Sequence, residues 1–277
     1  MTLSPPKNKP NADAVLTVDG LSCVLGGQEI LKNVSLAVAA GACVSLIGPN
    51  GAGKTTLLKC LNRILPFSRG AVTVDGRRLS GYSQPELAAK IAYVPQAQGR
   101  FIDFTVFDFV LLSRYPHLSP FSSISAVDKE AAFQALVSTG MEAFADRSHA
   151  TLSGGERQKV FIAAALAQES PILLLDEPTT FLDPHHQEEI MAILQRVNQQ
   201  ENRTILAVTH DLNNAMMISD QIIAMRDGTI MFQGSPAETM TAPVLEKIYG
   251  ASFLFVPHPG TGQAMLVPGG RTGQKRL

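Results

Sequence analysis

The chain has 277 residues, of which 45% are hydrophobic and 17% are charged, and its formal net charge at pH 7 is −1. This length allows one large domain or a core with an inserted subdomain, and the composition argues against disorder of the chain as a whole. Nucleic-acid binding usually requires a basic face, so the near-neutral charge predicts no nucleic-acid partner.

The cysteines and the apolar runs bear on the chain's location. Cys23, Cys43 and Cys60 have no CxxC spacing, which predicts neither a disulfide framework nor a zinc site. Residues 1–13 are polar and proline-rich and contain no apolar signal-peptide core. The longest apolar runs, such as residues 160–167, are shorter than the roughly 18 residues that span a bilayer. We therefore expect a cytosolic chain, or one held at a membrane by a partner.

The first third of the chain predicts strands followed by a strand–loop–helix unit. Residues 15–47 read as strands interrupted by glycine and asparagine, and the last of these strands ends at Gly48. Residues 54–65 carry leucine and isoleucine at helical spacing, which predicts a helix directly after the glycine-rich loop. A hairpin over residues 70–79 and a strand over residues 90–96 are predicted to follow.

From about residue 97 to residue 170 the pattern changes to helices. Thr105 and Asp108 have capping-box spacing, and a later amphipathic stretch ends at Gly140. Residues 171–178 and 204–211 are apolar runs typical of a parallel sheet that is buried on both faces. The pattern predicts an α/β nucleotide-binding core with a helical insertion between two halves of its sheet.

The segment GPNGAGKT, residues 48–55, matches the pattern G-x4-G-K-[ST] of a phosphate-binding loop. Glycines let backbone N–H groups surround phosphates, and the start of the following helix adds a favourable dipole. Lys54 can reach the β- and γ-phosphates of a nucleotide, and the Thr55 hydroxyl can bind Mg²⁺. The alternative is a chance glycine-rich turn, and the predicted strand before it and helix after it argue against that.

Polar side chains stand at three other predicted strand ends. Asp176 and Glu177 follow an apolar run, and we expect Asp176 to hold Mg²⁺ and Glu177 to orient and deprotonate the attacking water. His210 ends another strand, where it can donate to a γ-phosphate, and Gln96 ends a third, where it can orient water or lie near Mg²⁺. Each residue taken alone also fits a solvated edge or an ordinary loop. The phosphate loop in the same chain favours the catalytic interpretation.

The segment TLSGGERQ, residues 151–158, indicates a second anion site. Ser153 and Glu156 have the spacing of a capping box, and a structural helix cap is one interpretation. A cap needs only those two residues, however, and Gly154 and Gly155 each cost a helix about 1 kcal/mol relative to alanine. The pair of glycines predicts that an anion approaches the bare backbone closely.

Together these motifs resemble the ATP-binding subunits of ABC transporters. The segments that stand in that family's order are Gly48–Thr56, Gln96, 152–158, 173–178, 181–184 and 209–211. The resemblance covers about residues 14–250 and implies a P-loop NTPase (RecA-like) α/β core with an N-terminal antiparallel β-subdomain and an inserted α-helical subdomain. The implied domains are a flexible tail over 1–13, a catalytic core over 14–96 and 172–250, a helical signature subdomain over 97–171 and a C-terminal extension over 251–277.

The resemblance also implies roles for individual residues. ATP is expected to bind through Gly48, Pro49, Asn50, Gly51, Ala52, Gly53, Lys54, Thr55 and Thr56. The implied catalytic residues are Lys54, Gln96, Glu177 and His210, and the implied Mg²⁺ ligands are Thr55, Gln96 and Asp176. In this family each ATP lies between the phosphate loop of one subunit and the signature of the other. The residues implied to bind the partner's ATP are Ser153, Gly154, Gly155 and Glu156, and Asp183 is implied to lie in the dimer-facing loop.

Two residues depart from the family pattern. Phe181 stands where the family commonly has a small residue. Cys23 stands at the place of an aromatic residue that stacks on adenine, and no Phe, Tyr or Trp occurs before Phe67. Because a stacking ring is worth roughly 1–3 kcal/mol, we expect weak base recognition, with GTP used within about tenfold of ATP. The alternative is an aliphatic shelf, such as Val24 or Ile30, that grips the base.

Three segments place the chain nearer to one group of importers. Residues 105–121, 128–136 and 245–259 resemble the ATPases of iron-siderophore, haem and cobalamin importers. The segment 97–117 follows Gln96 where the family forms a groove for the permease, and it is rich in phenylalanine: Phe101, Phe104, Phe107 and Phe109. The alternative is that these rings pack the helical subdomain.

The resemblance implies an assembly at the cytoplasmic face of the inner membrane. Its parts are a homodimer of ATPase subunits, integral-membrane permease subunits and a periplasmic or surface substrate-binding protein. The alternatives are an importer ATPase for another substrate, such as a metal ion or molybdate, a soluble ABC ATPase acting on DNA or ribosomes, and a regulatory module without turnover.

Overall fold

The computed structural model describes residues 14–96, 104–118, 123–257, 259, 262 and 264–269. Its strands are β1 (Ala14–Leu25), β2 (Gln28–Ala39), β3 (Cys43–Ile47), β4 (Arg69–Val74), β5 (Arg77–Arg78), β6 (Ile91–Val94), β7 (Ile172–Asp176), β8 (Thr204–Val208), β9 (Gln221–Arg226), β10 (Thr229–Gly234), β11 (Phe253–Pro257) and β12 (Ala264–Pro268). Its α-helices are α1 (Lys54–Leu61), α2 (Gln84–Ala88), α3 (Val106–Leu112), α4 (Ala126–Ser138), α5 (Gly154–Ala167), α6 (Pro184–Glu201), α7 (Leu212–Ile218), α8 (Pro236–Thr239) and α9 (Ala242–Tyr249).

The strands form an antiparallel sheet, a mostly parallel sheet and a separate hairpin. The antiparallel sheet has the order β2-β1-β4-β5, and the larger sheet has the order β10-β9-β3-β8-β7-β6. Within the larger sheet only the pair β9–β10 is antiparallel. Every residue of β3, β7 and β8 is buried, as expected for strands covered on both faces. The predicted α/β core with an N-terminal antiparallel subdomain is therefore confirmed.

The order of the parallel strands positions the candidate site. Strands β3, β8, β7 and β6 are neighbours, and all four run in the same direction. Their carboxyl ends therefore meet at one edge of the sheet, which is where ligands of open α/β sheets bind. The segments that follow these ends begin with Gly48, Thr209, Glu177 and Pro95.

Helix α1 is shorter than the sequence pattern predicts. The expected helix over 54–65 ends instead at Leu61, and Arg63 adopts a positive φ of 56°. A left-handed residue cannot continue a right-handed helix. Ile64, which was expected to complete the apolar face, is half exposed.

Helices α3, α4 and α5 pack against one another between β6 and β7 in the chain. The Arg114 guanidinium is buried at their junction, where Nε lies 3.3 Å from the Asp128 carboxylate and Nη1 donates to the Ala167 carbonyl at 2.7 Å. A buried charge is tolerated only when it is paired and hydrogen-bonded, so this contact fixes the end of α5 against the start of α4.

The phenylalanines of this region were predicted either to form a groove for the permease or to pack the helical subdomain, and the structure places some in the core and one at the surface. Phe107 and Phe109 pack against the helical core, and the Phe109 ring lies 5.4 Å from the Phe161 ring, edge to face. Phe104 is half exposed. Phe101 lies outside the described residues. Within the part of the chain that the structure describes, no helix is both long and apolar enough to cross a membrane.

Candidate active site

The phosphate loop connects β3 to α1, and its backbone shape depends on glycine at two positions. Gly48 has a φ of 145°, and a Cβ there would lie 2.1 Å from the Met225 carbonyl oxygen. Gly53 has a φ of 97°, and a Cβ there would lie 2.7 Å from the Leu31 side chain. Both positions combine a left-handed backbone with a close neighbour, so other residues would force the loop away from strands β2 and β9.

Lys54 lies inside this loop. Its Nζ donates hydrogen bonds to the Gly48 carbonyl at 2.8 Å and to the Pro49 carbonyl at 3.0 Å. Burial lowers the pKa of Lys54, while the nearby Glu177 and Asp176 carboxylates act in the opposite direction. The ammonium group is therefore held among acceptors at the first turn of α1, where an anionic ligand is favoured by the helix dipole.

The Asp176 carboxylate at the end of β7 accepts two hydrogen bonds. The Thr55 hydroxyl donates to Oδ1 at 2.8 Å, and the Tyr93 hydroxyl donates to Oδ2 at 3.1 Å. A carboxylate beside a hydroxyl is the oxygen donor set that Mg²⁺ takes when nucleotide phosphates complete its shell, so these residues fit the ion. Tyr93 was missed by the sequence reasoning, although its place on the neighbouring strand β6 pairs it with Leu174, two residues before Asp176.

Glu177 stands between side chains from two further strand ends. Its Oε1 lies 2.6 Å from His210 Nε2, and its Oε2 accepts from Gln96 Nε2 at 3.0 Å and from the Thr180 hydroxyl at 3.1 Å. Glu177 also has a positive φ of 52°, a backbone conformation that non-glycine residues adopt rarely and mostly at functional sites. The fold thus brings three sequence-predicted residues into one hydrogen-bonded group.

The segment predicted to bind a second anion begins α5. The Ser153 side chain accepts from the Glu156 N–H at 3.3 Å, and Glu156 Oε2 accepts from the Ser153 N–H at 2.7 Å, which completes the capping box. Gly154 is exposed, and its nearest neighbour, Leu182, would lie 3.9 Å from an added Cβ. At Gly155 an added Cβ would lie 2.3 Å from the His186 ring.

Only one of the two glycines therefore leaves open surface. Gly155 is buried, and the His186 ring lies where a side chain at this position would be. The approach of an anion to the backbone of the two glycines stays a prediction. Gly154 and the exposed Ser153 remain the open face at the start of α5.

The comparisons with known proteins agree with this arrangement. Residues 31–180 match the ABC transporter family. The ferric enterobactin transport ATP-binding protein FepC of Escherichia coli (strain K12) is 39% identical over 94% of this chain and 96% of its own length. The hemin import ATP-binding protein HmuV of Streptomyces coelicolor is 37% identical over 95% of this chain and 93% of its own.

The chain belongs to the ABC transporter family. Two solved structures share its fold. A chain of a transporter assigned to the metal-chelate type, in an inward-facing conformation, superposes with a TM-score of 0.81 and 26% identity over 94% of this chain and 99% of that one. The ATP-binding cassette MJ0796, in a dimeric post-hydrolysis state with ADP and Pi, gives a TM-score of 0.71 and 30% identity over 80% of this chain and 98% of that one. The chain is thus a transport ATPase with a nucleotide-binding cassette.

In this ABC ATPase the loop between β7 and α6 links Glu177 to the start of α5. Asp183 caps α6, since its carboxylate accepts from the His186 N–H at 3.0 Å and lies 2.7 Å from His186 Nδ1. These hydrogen bonds, led by that from the backbone N–H, lower the pKa of Asp183. Because His186 also covers Gly155, the capped start of α6 packs directly against the start of α5.

The C-terminal segment of the cassette contacts the site at two points that the sequence did not reveal. The Gly48 N–H donates to the Tyr249 hydroxyl at 3.1 Å, and the Tyr249 ring packs edge-on against Phe253. The Asn213 side chain donates to the Leu266 carbonyl at 3.2 Å and accepts from the Leu266 N–H at 2.7 Å. The hairpin β11–β12 is therefore fixed to α7 at Asn213, which is three residues after His210 in the chain.

Cys23 does not lie in a nucleotide pocket of this cassette. Its side chain is fully buried in the core, and its thiol donates to the Pro66 carbonyl at 3.3 Å. The interpretation that Cys23 stands at the base-contacting position is therefore wrong. Val24 is half exposed, and the Ile30 backbone lies against Gly53 of the phosphate loop, so the aliphatic alternative agrees better with the structure.

Proposed function

We propose that this chain hydrolyses Mg²⁺-ATP in a symmetric homodimer and thereby energises the import of an iron complex, a siderophore or haem, or of cobalamin. It would do so at the cytoplasmic face of the inner membrane, together with integral-membrane permease subunits and a periplasmic or surface substrate-binding protein. One observation carries the catalytic part of the proposal, namely that Glu177 is hydrogen-bonded between His210 and Gln96.

Glu177 is the proposed general base. A base must be held within hydrogen-bond reach of the proton that it removes, and Gln96, Thr180 and His210 fix the Glu177 carboxylate from three sides. His210 is also the proposed donor to the γ-phosphate. Phosphoryl transfer depends mostly on positioning and charge stabilisation, which this group of side chains supplies.

Lys54, Thr55 and Asp176 are the proposed phosphate and metal ligands. The backbone N–H groups of residues 50–56 would surround the phosphates, and the Lys54 ammonium would neutralise their charge. Thr55 and Asp176 would hold Mg²⁺, which when bound stabilises charge on the phosphate oxygens. Tyr93 orients the Asp176 carboxylate through its hydroxyl, as outer-shell partners commonly do for metal ligands.

The proposed dimer places the start of α5 on the partner's ATP. Ser153 and Gly154 are exposed in one chain, as a surface that meets a partner's nucleotide must be. The dimeric cassette MJ0796, which shares this fold, supports a two-subunit assembly. In a symmetric dimer both ATP molecules are then bound by both chains.

The proposed cargo rests on the relatives. FepC is named for ferric enterobactin and HmuV for hemin, and each aligns with nearly the whole chain. Cobalamin is supported by the cobalamin import ATP-binding protein BtuD of Halobacterium salinarum, which is 36% identical over 91% of this chain and 63% of its own length. The similar transporter of metal-chelate type agrees with this group of cargoes.

An uptake assay tests the proposed function. In a strain that lacks this chain, we expect uptake of a ferric siderophore, haem or cobalamin to be lost. Wild type should restore it, and Glu177→Gln should not. Restoration by Glu177→Gln would contradict the catalytic role, and unchanged uptake of all three compounds in the deletion strain would contradict the cargo class.

A further inference from the structure

Phe181 is the most exposed large hydrophobic side chain among the described residues, with 91% of it accessible to solvent. It also has a positive φ of 64°, which is unfavourable for an aromatic residue. The loop around it is held in place, because Gln187 Nε2 donates to the Leu182 carbonyl at 2.9 Å and Asp183 caps α6. The chain thus presents a large apolar ring to solvent from a fixed and strained backbone.

A cavity of about 440 Å³ lies beside this loop. Its polar floor includes Thr180, Thr209 and His210, and its apolar wall is formed by Phe253, Leu266 and Pro268 of the C-terminal hairpin. Hydrogen bonds fix both surfaces. On the polar side Thr180 donates to Glu177, and on the apolar side Leu266 is joined to Asn213 by two hydrogen bonds. The cavity is therefore preformed, and its size is within the roughly 300–1,000 Å³ of pockets that enclose organic ligands.

The chain's own Phe181 does not fill this cavity, because its side chain is almost fully exposed. The symmetry of the proposed dimer indicates what does. If the phosphate loop of each chain faces the start of α5 in the other chain, the dimer has a two-fold axis. That axis passes midway between the phosphate loop and the α5 start of any one chain. The loop over 177–186 runs between them, from Glu177 in the catalytic group to His186 beneath Gly155.

This loop must therefore lie close to the axis, where each chain contacts the equivalent region of its partner. Thr179 and Thr180 line the cavity and directly precede Phe181. The cavity is thus also close to the axis, and the partner's loop faces it. In an isologous interface the contact occurs twice, once in each direction.

We infer that the Phe181 ring of each protomer inserts into the partner's cavity, between His210 and the C-terminal hairpin. The inference rests on the proposed dimer. It gives the hairpin β11–β12 a role in assembly, since the hairpin supplies the apolar wall that receives the ring. It also places a residue of one chain beside the catalytic histidine of the other, so that closure of the dimer and order at His210 are coupled.

Cross-linking between two separately made chains tests the inference. One chain carries Glu177→Gln with Phe181→Cys, and the other carries Glu177→Gln with Pro268→Cys, whose position is exposed at the rim of the cavity. With Mg²⁺-ATP and a short bismaleimide, we expect a covalent heterodimer in high yield. The native cysteines are buried, so Glu177→Gln alone should give no cross-link.

The matched control is Leu254→Cys in place of Pro268→Cys. Leu254 is on the same hairpin and is exposed, but it does not line the cavity. Equal cross-linking through Leu254→Cys, or none through Pro268→Cys while size-exclusion chromatography still shows an ATP-bound dimer, would overturn the inference. Failure of Glu177→Gln itself to dimerise would instead overturn the proposed function.

Phe181→Ala gives an independent measure. Truncation of a buried aromatic at both copies of the contact should weaken the ATP-bound dimer by at least about tenfold. Phe133→Ala is the control, because that ring is partly exposed on α4 and should leave dimerisation unchanged. An unchanged dimer dissociation constant for Phe181→Ala would contradict the insertion of the ring.

Discussion

At the scale of single residues, the hydrogen bonds of Glu177 make the clearest prediction. Glu177→Gln keeps the shape of the side chain but removes the base, so hydrolysis should fall by roughly 10²–10⁴-fold. ATP binding should be retained, because the phosphate loop is untouched, and the variant should accumulate as an ATP-bound dimer. Phosphate release measures the loss, with the exposed Glu142→Gln as control. Turnover above about a tenth of wild type would remove Glu177 from this role.

Tyr93 is predicted to position the metal ligand. Tyr93→Phe removes the hydroxyl that donates to Asp176 and keeps the ring. Loss of an outer-shell partner typically costs about 10–100-fold in metal affinity, so half-maximal hydrolysis should require at least several-fold more Mg²⁺. Tyr115→Phe is the control, because that side chain is exposed on the helical subdomain. A Mg²⁺ titration that is unchanged in Tyr93→Phe would contradict the positioning role.

The wrong placement of Cys23 at the base-contacting position also has a physical cause at the scale of single residues. An undisturbed strand alternates between two faces, but the pairing of β1 with β2 shifts on both sides of Cys23. Leu21, Ser22 and Cys23 are consequently buried in succession, and Val24 is the next exposed residue. Sequence spacing cannot show such a bulge, so the position of a base-contacting residue could not be predicted from it.

At the scale of elements, the start of α5 combines a structural and a functional role, and α4 offers a matched comparison. Ser153 and Ser125 both complete capping boxes. Replacing either with alanine should cost about 1 kcal/mol of stability, measured by thermal or denaturant unfolding. Only Ser153→Ala should also lower ATP hydrolysis, because only that serine is proposed to face the partner's nucleotide. Equal activity of the two variants would reduce Ser153 to a helix cap.

Helix α9 is predicted to support the phosphate loop through Tyr249. Burial raises the pKa of Tyr249 to about 12, and its hydroxyl accepts the Gly48 N–H. Tyr249→Phe would leave that N–H unpaired at a cost of about 1–3 kcal/mol, so ATP affinity should fall by at least about fivefold. Tyr82→Phe is the matched control, because it removes a buried hydroxyl that donates to the Val74 carbonyl of β4, and it should lower stability alone. Identical ATP dissociation constants in wild type and Tyr249→Phe would contradict the support.

The order of the elements was predictable because it depends on local patterns. Apolar runs predicted the buried parallel strands, and the loop motif predicted the start of α1. The contacts of Tyr249 and Asn213 were not predictable, since they join residues 201 and 53 positions apart. The end of α1 was missed because the left-handed backbone of Arg63, and not a glycine or proline, ends the helix.

At the scale of the whole molecule, the two segments proposed to bind phosphate are separate surfaces of one chain. The phosphate loop packs against β2 and β9, whereas the start of α5 packs against the first turn of α6. The loop from Glu177 to His186 connects the two surfaces. The proposed head-to-tail dimer would use both surfaces at once, which would account for two anion-binding motifs in a single cassette.

Mixing two inactive variants tests this shared site most directly. Ser153→Arg should block the start of α5, and Lys54→Ala should disable the phosphate loop, so each homodimer should be inactive. A heterodimer should keep one intact composite site, and an equal mixture should recover up to about a quarter of wild-type hydrolysis, since half of the dimers would have one site of two. Normal hydrolysis by Ser153→Arg alone, or no recovery in a mixture shown to form heterodimers, would contradict a site shared between two chains.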